Sequence, residues 1–210
     1  MKTIVKNIGG KNIIATAEEH LSPQIEKLLY LLTKVEDNKL VDGFSIQVGW
    51  SIFILSKCED GYHIIVPDYT KNPFKDTTED LTIALWVHLE QVHCLRQLNT
   101  EGEMIKFSDK IVTAKNVLQL DEVYLQRASD CEKGDSGWYI GPVEETEETE
   151  ETEETEDELE AFYAYQLLKI RPSIIQVLAL PYEYLVVFEK DKIKAILDDK
   201  DVDVWNGVIN

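Results

Sequence analysis

The sequence predicts an α+β protein of mainly antiparallel sheets with packed helices, arranged as two small modules over 1–102 and 103–210. Three observations carry this expectation. Runs rich in Val, Ile, Tyr and Trp are separated by turn residues at hairpin spacing. Two longer segments place apolar residues at helical intervals. The chain has 210 residues, 44% of them hydrophobic, which is enough to bury a substantial core in one large domain or two small ones.

In chain order, Ser22 caps the first helix and Pro23 takes its first position; Ile25, Leu28, Leu29, Leu32 and Val35 follow at helical spacing, and residues 38–43 end it. Residues 44–55 read as one strand with partial alternation, Glu59-Asp60-Gly61 as a turn, and residues 62–67 as the return strand of a hairpin. Asn72-Pro73 interrupts the chain. Thr78 caps a second helix from Glu79 to about Leu98, and Leu81, Leu85, Trp86, Leu89, Val92 and Leu95 spread so widely round it that burial on several sides is expected. Beyond Gly102, short strands are expected around 104–107 and 111–114. Val123-Tyr124-Leu125 and Trp138-Tyr139-Ile140 then flank Asp135-Ser136-Gly137, a turn triplet, as a further hairpin. Residues 162–170 read as a strand or short connector, Arg171-Pro172-Ser173 opens a brief helix that Pro181 ends, and residues 184–189 form a strand. Trp205 is a late apolar anchor.

Net charge is −19, but residues 144–160 hold twelve acids and no base, so the remainder carries −7. An acidic surface repels nucleic acid and anionic membranes, and neither is expected as a partner. Four consecutive Glu-Glu-Thr units fill 144–155. Glutamates three and four apart repel on a helix, and no apolar residue lies between Glu144 and Glu158, so 144–158 is expected to be a solvated low-complexity loop. The functional alternative is an acidic arm, beginning at Glu144 and Glu145, that attracts a basic partner. The first residues lack the apolar segment of a signal peptide, and no run elsewhere is long enough to cross a bilayer; a soluble, cytoplasmic protein is expected. Cys58, Cys94 and Cys131 are widely spaced without a C-x-x-C pair, which points to reduced thiols.

No catalytic residue emerges. Ser136 lies in Gly134-Asp135-Ser136-Gly137-Trp138, but a nucleophile elbow needs G-x-S-x-G and a later histidine; these glycines are out of register and no histidine follows His93. His93 and Cys94 lie five and six positions after His88, so the pairs diverge around a helix; a site using Glu90 and Cys94 is the alternative, and for lack of a ligand set no metal is expected. Arg127 lies within reach of Asp135 across the hairpin, where a bidentate pair would pin the turn. The alternative is an exposed arginine that contributes little. Trp50 and Trp86 read as core residues. Trp138 reads either as core or, with Tyr139, as a contact for a protein partner, because Trp, Tyr and Arg dominate interface energetics.

The order of signals from about 110 to 190 has a further meaning. Ile111-Val112-Thr113 precedes the Tyr124 to Arg127 stretch, then come Asp135-Ser136-Gly137-Trp138, Gly141 with an acid soon after, Ile170-Arg171-Pro172-Ser173-Ile174-Ile175, and Leu180-Pro181-Tyr182 leading to Phe188-Glu189. This pattern resembles the immunity protein 33 domain of bacterial polymorphic toxin systems. Asp-Ser-Gly-Trp is its most specific part, and the amino-terminal portion looks like an extension that longer members carry. The loop after Gly141 departs from the pattern by its Glu-Glu-Thr repeats. The resemblance implies an immunity protein that binds and neutralises a cognate protein toxin without cofactor or turnover. Candidate partner contacts are Arg127, Asp135, Trp138, Tyr139, Glu144 and Glu145, and an acidic surface suits a basic toxin. A structural or regulatory binding module without a toxin, and a serine hydrolase at Ser136, are the alternative readings.

Overall fold

The structure, a computed structural model, describes residues 1–143 and 159–205, and it begins with a hairpin that the sequence reading does not include. β1 (Lys2–Ile8) and β2 (Lys11–Ala17) pair antiparallel around Gly9-Gly10, whose φ angles of 58° and 76° match the two left-handed positions of a two-residue hairpin turn. The Gly-Gly dipeptide between β-branched runs was the available signal. A single 3-10 turn leads into α1 (Ser22–Leu32), with Pro23 in its first turn as expected; the helix stops at Leu32 and gives way to turns. Ser22 does not cap its own helix end. Its hydroxyl donates back to Glu19 O at 2.6 Å.

Residues 44–55 are two strands rather than one. β3 (Ser45–Val48) turns at Gly49-Trp50 into β4 (Ser51–Cys58), which pairs with β5 (Gly61–Pro67) through the expected Glu59-Asp60 turn. Gly49 at φ 59° supplies the left-handed first position of the extra turn, a role hidden because Trp50 continues the apolar run. The first sheet has the order β1-β2-β5-β4-β3, with the short β6 (Thr77–Thr78) on β5, and β2 and β5 run parallel. One face is closed by α1, which packs on β1 and β2. Alternation brings Ile13, Ala15, Ala17, Phe53, Leu55, Ile64 and Val66 to burial with Ile25, Leu28, Leu29 and Leu32 of the helix. Each such large side chain contributes about 1.5–3 kcal/mol through burial.

α2 spans Thr82–Gln97, and the side chain that receives the Thr82 N–H is Asp80 at 3.0 Å, not Thr78, which belongs to β6. None of residues 81–92 is exposed. The chain divides into two compact units, Met1–Glu90 and Gln91–Asn210, so the division falls within α2 and not after Gly102, where the modules 1–102 and 103–210 would meet. The carboxyl end of α2 packs with the second unit: Gln91 Nε2 donates to Ile175 O at 3.3 Å, and Gly102 lies so close to Leu95 and Ala179 that a Cβ would stand 2.4 Å from the leucine.

The second unit carries β7 (Lys110–Ala114), β8 (Glu122–Arg127), β9 (Asp135–Pro142), β10 (Leu159–Tyr163), β11 (Leu185–Glu189) and β12 (Lys192–Leu197). Their order in the sheet is β10-β7-β9-β8-β11-β12, antiparallel except for β7 with β9. α3 (Leu167–Ile170) and a 3-10 segment, Pro172–Val177, supply Leu167, Ile174, Ile175 and Val177 to the core, joined by Val123, Leu125, Trp138, Ile140, Val186 and Phe188 from the strands. No strand forms at 104–107, where the backbone instead crosses as an irregular segment whose Ile105 is buried. Two six-stranded mixed sheets with a few helices make an α+β fold. Among the described residues no helix is long and apolar enough to cross a membrane.

Candidate partner-binding site

The β8/β9 hairpin exists, but its turn lies earlier than Asp135-Ser136-Gly137. Those three residues open β9, and the chain reverses over 128–134. Gly137 has φ 78° within the strand, and a Cβ there would stand 2.4 Å from Ala128 O. Only glycine fits this irregularity. Ser136 is buried, and its hydroxyl donates to Lys110 O at 2.7 Å while accepting the Trp138 N–H at 3.1 Å. The triplet is therefore a bulge-like strand start, and its turn-forming side chains misled the sequence reading because the same hydroxyl chemistry serves a β-irregularity.

Arg127 makes no ion pair with Asp135 or any other described acid. It is 2% exposed and donates from Nε to Ser136 O at 3.2 Å and from Nη1 to Glu103 O at 2.6 Å and to Leu180 O. Its guanidinium lies 4.5 Å from the Tyr182 ring centre and 5.7 Å from that of Trp138. Burial pulls its pKa below the usual arginine range, opposed by Tyr182 and Glu103, and it stays charged at neutral pH. A buried cation with carbonyl oxygens in place of a carboxylate joins three separate chain segments. Trp138 is 1% exposed, and its indole N–H donates to Leu178 O at 3.0 Å. With Glu103 N–H donating to Ala179 O at 3.0 Å, each carbonyl of Leu178, Ala179 and Leu180 is satisfied by a different partner. A buried irregular segment needs such an accounting.

Arg171 repeats the device. It is 6% exposed and donates to Leu120 O at 2.9 Å, Asp121 O at 3.3 Å and Lys190 O, and burial lowers its pKa against Asp191 and Asp121. In sequence Arg171 reads as the opening of a brief helix and as part of the family pattern; an arginine beside a proline carries no local sign that it will be buried.

Of the remaining candidates, Asp135 is half-buried and its carbonyl accepts from Cys131 Sγ at 3.7 Å. Tyr139 is half-buried on the opposite face of the sheet from Trp138, with Tyr124 beside it at 5.8 Å between ring centres. Glu144 and Glu145, with the rest of 144–158 where a solvated loop is expected from the sequence, lie outside the described residues. The structure thus separates the six candidates: Arg127 and Trp138 face the core, and Asp135 and Tyr139 keep partial access to solvent.

The sheet also has an edge that the sequence reading passed over. β10 borders it, pairing only with β7 among the described strands. Ala164 N–H donates to Asp109 O at 2.9 Å, which makes Phe162 with Ile111 and Glu160 with Thr113 the hydrogen-bonded pairs. The backbone groups of Leu159, Ala161 and Tyr163 then point away from the sheet, the Tyr163 N–H being taken by Gln166 Oε1 at 2.9 Å. Beside β10 lies a groove of about 490 Å³ lined by Asn116, Leu118, Glu160, Ala161, Phe162 and Ile170 among others. Leu159 and Ile170 are 37% and 50% exposed. The apolar run after the acidic tract was visible in sequence, but its edge position follows from non-local pairing.

The far edge is different: Asp203 Oδ1 accepts the Ile196 N–H at 3.3 Å and Val204 N–H donates to Ile196 O at 2.8 Å, so the chain itself pairs with β12 at Ile196. Among the described residues, no group of three or more His, Cys, Asp or Glu side chains is gathered as a metal ion requires.

No curated protein and no solved structure matches the chain. A family model does: the Imm33-like domain matches residues 90–206, beginning in α2 one residue before the second compact unit. The clasps at Arg127 and Arg171 and the Asp-Ser-Gly-Trp strand start all fall in that span, and the chain belongs to the Imm33-like domain family.

Proposed function

We propose that this protein is an immunity protein, which binds a cognate bacterial toxin in the cytoplasm of the producing cell and neutralises it without catalytic turnover. The match of the Imm33-like domain over residues 90–206 carries this reading. Neutralisation by binding needs a rigid frame and accessible surface, in keeping with two buried arginine clasps and a half-exposed sheet face and edge elsewhere in the same unit. Ser136, committed to Lys110 O and the Trp138 N–H, suits a binding protein better than a hydrolase. The net charge of −19 favours a basic toxin, for which electrostatic steering speeds encounter. Co-expression with the toxin encoded at the same locus tests the proposal. Cells producing the toxin should grow only when this chain is present, and the two proteins should co-purify; continued killing, with no complex, would refute it.

A further inference from the structure

We infer that the toxin docks on the outer face of the second sheet and meets it with an apolar, uncharged patch. The inference rests on the immunity reading for its partner, and adds where that partner docks and what it presents. A sheet with one solvated face alternates apolar inward and polar outward, and the second sheet departs from that rule. Leu125, Trp138, Val186 and Ile196 face the core. On the other side the strand register sets Val112, Tyr139, Gln126, Leu185 and Leu197 opposite one another across five neighbouring strands. A second row beside the first runs through Gly141, Tyr124, Val187 and Ala195. None of these positions is charged, and apart from two tyrosine hydroxyls only Gln126 is polar. Gln126 is exposed, while Val112, Tyr124, Tyr139, Leu185 and Val187 are half-buried. Tyr124 lies over Gly141, where a Cβ would stand 2.6 Å from its ring, so a glycine within the strand makes room for the ring and keeps the face level. At strand and row spacings the two rows cover about 300 Å², the size of apolar patch that marks an interaction site on a monomer.

Charge selects the occupant. A charged side chain buried against these rows would meet no counter-charge, so the complementary patch is itself uncharged. A second copy of this chain is disfavoured, because its net charge of −19, which is still −7 outside residues 144–160, repels the first. About 300 Å² is also well short of the roughly 800 Å² that each partner gives to a stable complex. The rim around the rows must therefore attract, as it can toward a toxin of opposite charge and cannot between two like-charged copies.

The test uses the full chain and the toxin encoded at the same locus, with affinity read by biolayer interferometry. Gln126→Lys and Gln126→Glu place a charge of either sign at an exposed position within the face, and both should weaken binding about tenfold or more. Gln126→Leu should bind at least as tightly as the native chain. Val187→Lys, on the neighbouring strand, should weaken binding as the Gln126 charges do, and thermal unfolding checks that every variant is folded. Tighter binding by Gln126→Glu than by the native chain would overturn the uncharged occupant in favour of a basic one. A native dimer in sedimentation that Gln126→Lys splits would also overturn the inference, by assigning the face to a second copy. The two proposals fail separately: a toxin bound equally by all four variants removes the docking face and leaves immunity intact, whereas a native chain that neither binds nor counteracts the toxin refutes the immunity reading and the docking face with it.

Discussion

In the Met1–Glu90 unit the packed sheet face is closed by an amphipathic helix, and the loop after that helix is held by Lys11, whose half-exposed ammonium donates to Asp37 O and Leu40 O, each at 2.7 Å. In the Gln91–Asn210 unit irregular backbone replaces much of the helix, and two arginines are buried to hold it. The difference follows from hydrogen-bond supply. A helix satisfies its own carbonyls, so apolar burial alone can seal it, while the irregular Leu178-Ala179-Leu180 stretch brings bare carbonyls into the core. Arginine, with five donors in a planar fork, can serve carbonyls of three separate segments at once, as Arg127 does for Ser136, Glu103 and Leu180.

The largest effect that can break this comparison is expected at Arg127. Arg127→Ala strands the carbonyls of Ser136, Glu103 and Leu180, and it should cost about 4 kcal/mol in urea unfolding, on the scale of a few unsatisfied buried acceptors. In the first unit Leu29→Ala, a pure apolar truncation at a 1% exposed helix position, should cost about 3 kcal/mol. If Lys11→Ala approached either value, the contrast between a surface tether and a buried clasp would collapse.

The two buried tryptophans sharpen the same contrast at smaller scale. Trp138 donates its indole N–H to Leu178 O, whereas among the described residues Trp50 Nε1 is buried without a hydrogen-bond partner, its ring stacked 5.3 Å from Tyr69. Trp138→Phe should therefore cost about 1.5 kcal/mol more than Trp50→Phe, measured as the difference in unfolding free energy, because only the first leaves a carbonyl bare. Equal costs would mean that packing volume governs both sites.

How much of this was legible in sequence depended on whether the deciding partner was local. α1 announced itself through Ile25, Leu28, Leu29 and Leu32, and the β4/β5 turn through Glu59-Asp60-Gly61, because spacing and turn chemistry are local properties. The split at Gly49-Trp50 was masked by a tryptophan that is both turn residue and core residue. Arg127 is neither paired with Asp135 nor exposed, the two states its sequence context suggests. Sequence neighbours suggested Asp135, while its actual acceptors on Glu103 and Leu180 come from segments 24 and 53 positions away. The edge status of β10 was illegible for the same reason, since it depends on β9 pairing with β7 rather than with the strand that follows it. The order of motifs along 110–190 nonetheless identified the family, because motif order survives where the reason for each residue is tertiary.

The most direct test of the clasp compares amide hydrogen exchange in the native protein and in Arg127→Lys, which keeps the charge but loses the fork. Backbone bonds made by the residues of the clasp and their neighbours include Arg127 N–H to Tyr184 O, Leu180 N–H to Val177 O and Glu183 N–H to Arg127 O. Exchange at these three amides should accelerate about tenfold or more, the equivalent of roughly one hydrogen bond lost to local opening, while the amides of β1 to β5 keep their native rates. Unchanged exchange at all three, or an equal acceleration in both sheets, would contradict the view that Arg127 is the buried tie on which the irregular half of the Imm33-like unit depends.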